Sequence, residues 1–266
     1  MIGSSCLVLV DSPAPHVARV LINRPEKRNA IDAEVRQALI DALTAVLAQP
    51  DHRALVFGGI AATFSAGGDV PSMIGLSEVQ ARERMRHGHV LCRLIGNARI
   101  PVVTAIEGFG AGAAVGLALL GDFIVVGEGS KILFPFMKLG LTPDWGTLYS
   151  LPRRVGMPCA MKLLTSGQMI NGAEALSLGI ADQLAADGEV MNAAIARAAE
   201  LAKLPAGAFA RMKQRLVNSS TSLEQELQRE EHDQTACLLG EEFSEGYGAF
   251  MEKRAADFLM LPKKRD

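Results

Sequence analysis

Residues Gly108–Gly121 read GFGAGAAVGLALLG, with no charged or polar side chain and with glycine at five positions. Before them comes Ile100–Glu107, IPVVTAIE, whose β-branched run predicts a buried strand. After them come Asp122 and a second strand-like run, FIVVG. A strand that enters a glycine-rich turn and opens a short apolar helix aims backbone N–H groups and a positive helix end at one point. Such a point suits an anion, whether a phosphate or a developing oxyanion. The run falls short of the roughly 20 apolar residues that a bilayer-spanning helix needs. Two other readings stay open on these letters. Gly108-x-Gly110-x-x-Ala113 fits a dinucleotide fingerprint, with Glu128 as its acidic residue, and small residues also let a buried helix pack closely.

The chain has 266 residues, 49% apolar and 21% charged, which suits one large domain or one with an appendage. A formal net charge of −2 leaves no electrostatic footprint for nucleic acid. Cys6, Cys92, Cys159 and Cys237 lie far apart, with no CxxC pair and no histidine at ligand spacing. They are expected to be reduced, buried thiols of a cytoplasmic protein. The apolar run Cys6–Val10 has no basic segment before it and no small-residue cleavage site, so it is expected to be a first strand rather than a signal peptide.

Strands are expected at Leu7–Val10 and Val17–Ile22, joined by a turn at Asp11–Pro15. NRPEKRNA, Asn23–Ala30, is a polar loop carrying Arg24, Lys27 and Arg28. Ile31–Leu47 follows as a helix with Asp32 as N-cap. The strand Ala54–Gly58 runs into a second glycine-rich loop, Ala62–Val70. Glu78–Gly96 has helical spacing and feeds a strand at Pro101–Ile106. Beyond the central element, Phe123–Val126 and Lys131–Phe136 are expected as strands, and Gly140–Thr147 as a loop. From Glu189 the texture is helical only: Val190–Leu204, Ala206–Asn218, Leu223–Leu239 and Phe243–Phe258. Residues 1–200 therefore read as an alternating α/β core and residues 201–266 as an all-helical region.

Ser65–Val70, SAGGDV, repeats the logic of the central stretch. The Gly68 N–H, paired with N–H groups at Gly112 or Ala113, gives the two convergent donors of a minimal oxyanion hole for a thioester enolate. A dinucleotide site leaves this second loop unexplained. Asp144, in a Pro-Asp-Trp-Gly loop between Leu141 and Leu148, is either an acid/base of raised pKa or an Asx-type turn residue beside Pro143. Asp69 is expected to fix its loop by accepting N–H groups, and Asp122 and Glu107 to be structural. His87 and His89 face different ways on a helix and make no metal pair. His16, His52 and His232 stand isolated in polar stretches. No Ser-His-Asp order and no G-x-S-x-G is present, so no nucleophile is expected. Phe250–Arg254, FMEKR, puts an aromatic and two cations on one helical segment, for which a solvated face is the alternative.

Five segments occur in the order and spacing of one family: NRPEKRNA, FSAGGDV, the glycine-rich 107–121 element, GLTPDWGT followed by LPRRVG, and EGYGAFMEKR. On these the chain resembles the crotonase, or enoyl-CoA hydratase/isomerase, superfamily over almost its full length. The resemblance implies a crotonase-like spiral of ββα units with a C-terminal helical trimerisation region, assembled as a homotrimer or a dimer of trimers. It implies an acyl-CoA thioester substrate with no metal or further cofactor, and no nucleic-acid or membrane partner. By position, the oxyanion donors would be the N–H groups of Gly68 and Ala113. Coenzyme A would meet Lys27, Arg28, Ala66, Asp69, Val70, Phe250 and Lys253. Hydratases of the family carry two glutamates, at positions that align with Gly116 and Phe136 here, so both carboxylates are missing. Asp144 falls where the family's isomerases, including the dienoyl-CoA type, place an acid/base aspartate. The resemblance thus implies an isomerase with one carboxylate. The alternatives are a hydratase, a hydrolase or ring-modifying acyl-CoA enzyme, or a catalytically dead acyl-CoA-binding oligomer.

Overall fold

The computed structural model describes residues 6–261. In chain order the strands are β1 (Val8–Ala14), β2 (Val17–Ile22), β3 (Ala54–Gly59), β4 (Val102–Ile106), β5 (Phe109–Ala111), β6 (Phe123–Gly127), β7 (Lys131–Leu133), β8 (Met169–Asn171) and β9 (Gln183–Ala185). A six-stranded sheet runs in the order β1-β2-β3-β4-β6-β9, and a smaller one in the order β5-β7-β8. Only the β1–β2 pair of the large sheet is antiparallel; β2 through β9 are parallel. Parallel strands are covered on both faces and so read as unbroken apolar runs. In β3, Leu55 and Phe57 join one core while Ala54 and Val56 join the other.

The first core is closed by α1 (Ala33–Leu47), which buries Val35, Leu39, Leu43 and Val46 at helical spacing. The Asp32 carboxylate caps it by accepting the Val35 N–H at 3.0 Å. Next comes α2 (Glu78–Gly96), opened by a capping box between Ser77 and Gln80. The central stretch divides into β5 and α3 (Gly112–Ala118), and α3 is buried along its whole length. Then follow α4 (Thr147–Val155), α5 (Met157–Ser166) and α6 (Gly172–Ser177). The second core is closed by α7 (Val190–Leu201) through Val190, Ala194 and Ala198. In β4-β5-α3 and again in β6-β7-α4 the chain adds a strand to the large sheet, then a short strand to the small one, then a helix. This is the ββα spiral that the resemblance implies.

Several boundaries differ from the sequence expectation. β1 continues through the expected Asp11–Pro15 turn, with a register shift between Asp11 and Ala14, and the chain reverses at Pro15–His16 instead. The strand expected over Lys131–Phe136 stops at Leu133, because Pro135 has no N–H to give the ladder; Phe136 opens a 3-10 turn and is buried. The first tail helix ends at Leu201, ahead of Pro205. The expected buried thiols are half-buried at Cys92, Cys159 and Cys237 and exposed at Cys6, and all four are free.

The remaining helices are α8 (Ala206–Val217), α9 (Leu223–Leu238) and α10 (Glu241–Glu252). Lys213 of α8 is 3% exposed and donates to Asp122 Oδ2 at 2.7 Å, close to the Ile95 and Ile100 carbonyls. Asp122 also accepts the Val102 N–H. This buried pair joins α8 to the end of the glycine-rich element, so Asp122 is structural as expected. Glu107 is too, accepting the Gly188 N–H. In contrast, α9 buries none of its residues within the chain. No helix among the described residues is long and apolar enough to cross a membrane.

Candidate active site

Consecutive turns of the spiral bring the two glycine-rich loops side by side. Ser65 donates its N–H to the Phe109 carbonyl at 3.0 Å and accepts the Ala111 N–H at 2.9 Å, a parallel bridge opposite Gly110. Gly68 and Ala113 stand at equal offsets beyond the bridged pair, Gly68 in a bridge with Ile31 and Ala113 in the first turn of α3. The approach is tight. A Cβ on Gly67 would lie 2.6 Å from the Ala111 carbonyl and 3.5 Å from the Ala113 nitrogen, and its φ of +87° also demands glycine.

Two fully buried polar residues hold this geometry. Ser65 Oγ donates to the Asn29 carbonyl at 2.7 Å and accepts the Gly67 N–H at 3.1 Å. Asn29 Nδ2 donates to the carbonyls of Ile60 and Thr63, while its Oδ1 accepts the Arg24 N–H. Ala66 gives its N–H to the Arg28 carbonyl. Much of NRPEKRNA is therefore a latch on the second loop. Asp69 does not fix that loop as expected: its carboxylate lies 3.7 Å from Arg24 Nη1, which also pairs with Asp32 at 2.9 Å. Among the described residues the Gly68 N–H has no acceptor. Ala113 is the second residue of α3, where a helix leaves its N–H without an intrahelical partner.

Asp144 lies above α3 in a turn closed by its carbonyl, which accepts both the N–H (3.0 Å) and the Oγ–H (2.7 Å) of Thr147. The carboxylate does not close the turn, which removes the Asx-type alternative. Its Oδ1 is buried and has no partner among the described residues. Burial pushes the Asp144 pKa up to about 6, opposed by the charge of Arg84 and by its own N–H. Trp145, buried with φ +47°, lies on Gly88 of α2: a Cβ there would meet its Nε1 at 2.4 Å. Thr147 lies on Gly116 of α3, where a Cβ would meet Oγ1 at 2.3 Å and the Asp144 and Trp145 carbonyls at 3.0 and 3.1 Å. Position 116 thus has no room for a side chain. Burial pushes the neighbouring Cys92 thiol up to about 12, so it supplies no thiolate nucleophile.

Of the expected coenzyme A contacts, Lys27, Arg28 and Val70 are exposed and Ala66 is half-buried. Neither Lys27 nor Arg28 has a side-chain partner among the described residues. Phe250 is 79% exposed, and Lys253 ends α10 in the left-handed region. Within one chain α10 packs on α9 and, through Glu242, caps the start of α8. No bond among the described residues joins Phe250 or Lys253 to the loops that carry Lys27 and Gly68. No group of three potential metal ligands occurs among the described residues.

Sequence reading missed two arginines. Arg84 stands beside the second loop, 3.1 Å from where a Cβ on Gly68 would be, and burial lowers its pKa. Arg36 is 4% exposed. A signal for both was present: Arg84 precedes Gly88, Leu91 and Ile95 on the buried stripe of α2, and Arg36 follows buried Val35 on α1.

Two main-chain N–H groups and a carboxyl whose pKa is pushed up to about 6 are groups of the kind that can polarise a carbonyl and move a proton. Residues 14–260 match the family model described as Enoyl-CoA hydratase/isomerase, and the chain belongs to that family. The crotonyl-CoA hydratase of Syntrophomonas wolfei subsp. wolfei is 32% identical over 247 residues, covering 91% of this chain and 94% of that protein. The 1,2-epoxyphenylacetyl-CoA isomerase of Escherichia coli is 30% identical with the same coverage. The crystal structure of an enoyl-CoA hydratase from Polaromonas sp. JS666 superposes with a TM-score of 0.88 at 30% identity, covering 94% of this chain and 98% of that one. Membership and fold together set aside the dinucleotide reading of Gly108–Ala113.

Proposed function

We propose that the protein is an enoyl-CoA isomerase that uses Asp144 as its single acid/base. The thioester carbonyl accepts the Gly68 and Ala113 N–H groups. The Asp144 carboxylate takes a proton from one carbon of the acyl chain, giving an enolate, and returns it to the carbon at the other end of the allylic system. The double bond moves, no atom is gained or lost, and the carboxylate is regenerated. Each main-chain donor contributes roughly 3–4 kcal/mol to the enolate-like transition state. Lys27, Arg28, Ala66, Asp69, Val70, Phe250 and Lys253 are assigned to coenzyme A. The exposed apolar side chains of α8 to α10, among them Met212, Leu216, Leu223 and Leu227, are assigned to a trimer or dimer of trimers.

The observation that carries this reading is the buried, unpartnered Oδ1 of Asp144 above a helix position that admits only hydrogen. The names of several relatives favour a second reading, hydration. Against it, water added at the β-carbon needs acceptors, and the two positions that would supply them are Gly116 and buried Phe136. The test is to give the purified protein a 3-enoyl-CoA and, separately, crotonyl-CoA, and to follow the conjugated thioester absorbance. Isomerisation raises the first signal, and Asp144→Asn should slow it by roughly 10²–10⁴-fold. Rapid loss of the crotonyl-CoA signal, with no isomerisation, would replace this reading with the hydratase.

A further inference from the structure

Arg36 is the one buried cation that the fold leaves unanswered among the described residues. Its Nε and Nη1 are both buried without a hydrogen-bond partner. Burial and the nearby charge of Arg84 both lower its pKa, with Asp32 opposing them. Asp32 is already engaged, Oδ1 with the Val35 N–H and Oδ2 with Arg24. Asp69 faces Arg24 as well. Arg84 has only the Ser72 hydroxyl, which its Nη1 meets at 3.2 Å. Two guanidinium groups therefore share one region; Asp144, Asp69 and Asp32 act on Arg84, while Arg36 has only the already engaged Asp32. A guanidinium is not relieved by losing its proton, so burial without an anion is costly.

The two arginines line one cavity of about 320 Å³ between α1 and α2, with Ser72 and Leu76 among its other walls. Glu83, an exposed residue of α2, also lines it, as does His87, whose Nε2 engages Gln37. The volume is at the small end for a ligand pocket, enough for a chain of a few carbons. Arg84 links the cavity to the reacting centre: it stands beside Gly68 and is the cation that acts on Asp144.

We propose that this cavity receives the far end of the acyl group and that Arg36, with Arg84, binds a carboxylate there. The substrate is then an enoyl-CoA whose short acyl chain ends in a carboxylate, the monothioester of an unsaturated dicarboxylic acid. This rests on the acyl-CoA reading above and adds the substrate's charge to it. An acyl chain ending in a methyl group would fill the cavity and leave the Arg36 guanidinium unpaired, a penalty that discriminates more strongly than a lost apolar contact.

The test uses binding, so it does not depend on turnover. Titration calorimetry compares glutaryl-CoA with pentanoyl-CoA, which has a methyl group in place of the carboxylate. The wild-type protein should bind glutaryl-CoA at least tenfold more tightly. Arg36→Met should erase that preference, keep the affinity for pentanoyl-CoA, and leave the melting temperature unchanged or higher because an unpaired buried charge is gone. Equal affinity of the wild type for the two thioesters overturns the proposal, and that comparison stands even if the variant does not fold. A preference that persists in Arg36→Met overturns the seat at Arg36. Stabilisation by free glutarate equal to that by glutaryl-CoA would make this a site for free anions and overturn the acyl assignment. If glutaryl-CoA is preferred but no enoyl-CoA isomerises, the isomerase reading fails and this one stands. If neither thioester binds, both fail.

Discussion

Gly116→Ala should destabilise the protein although the same change in an ordinary helix interior stabilises it. Replacing a mid-helix glycine by alanine usually gains about 1 kcal/mol. Here the new methyl carbon would stand 2.3 Å from Thr147 Oγ1 and about as close to two carbonyls as any real contact allows. Thr147 is fully buried, and its hydroxyl is held by the Asp144 carbonyl at 2.7 Å. Rotating it away gives up a hydrogen bond worth about 1 kcal/mol, which cancels the helical gain. What remains is the overpacking cost, about 1–3 kcal/mol. Urea unfolding measures it directly. Thr147→Ala removes the obstructing oxygen, so the double variant should be more stable than the sum of the singles by 0.5 kcal/mol or more, as expected for groups in contact (~0.5–3 kcal/mol). A stabilised Gly116→Ala protein, or strict additivity with Thr147→Ala, would show that the 144–147 turn does not rest on α3.

Three further outcomes are expected. Because the base must be ionised, kcat/KM for isomerisation should rise with pH through about 6 and fall tenfold per unit below it. Arg84 lowers the Asp144 pKa, so Arg84→Met should move that limb to higher pH; an unmoved limb removes either Arg84's influence or Asp144 as the base. Lys253→Ala should raise KM, more so at low salt, while leaving kcat nearly intact, and an unchanged KM would refute its contact with coenzyme A. Light scattering should find a trimer or hexamer, and a stable monomer at micromolar concentration would refute assembly through the helices after residue 200.

The parts of the fold legible in the sequence are those with a long period or a local cap. α2 runs over Glu78–Gly96 as its spacing predicts, and Asp32 caps α1, because such signals are written in consecutive residues. β5, β7 and β8 have three residues each, too few to show an alternation, and their pairing depends on partners far along the chain. The same holds for the latches. Nothing around Asn29 says that its amide meets the carbonyls of Ile60 and Thr63. Asp144 was legible as a candidate because an aspartate among apolar letters is conspicuous. The choice between acid/base and turn residue was not, since it turns on which oxygen Thr147 bonds. Arg36 and Arg84 escaped because arginine on a helix is ordinarily a solvated residue, and only packing reveals that Arg36 is buried without a hydrogen-bond partner for its Nε and Nη1 and that Arg84 is half-buried beside it.

On the isomerase reading proposed above, glycine at position 116 and a carboxylate at position 144 belong to one packing arrangement. The Asp144 turn lies down on two helices at once, with Trp145 on Gly88 of α2 and Thr147 on Gly116 of α3. Each contact needs the absence of a side chain beneath it. A glutamate at position 116 would need the space that Thr147 and the Asp144 carbonyl fill, so a hydratase-like carboxylate there and this conformation of the turn exclude each other. With the turn down, the Asp144 carboxylate is carried out of water, and that burial is what brings its pKa toward neutrality. Exchanging single residues at 116 or 144 therefore exchanges no chemistry. A glutamate added at 116 lifts the turn that carries the proposed base, and an aspartate removed from 144 leaves a helix still covered by Thr147. A glutamate at 116 would therefore require rebuilding the turn as well, and the packing of Thr147 against Gly116 is the first contact that would have to give way.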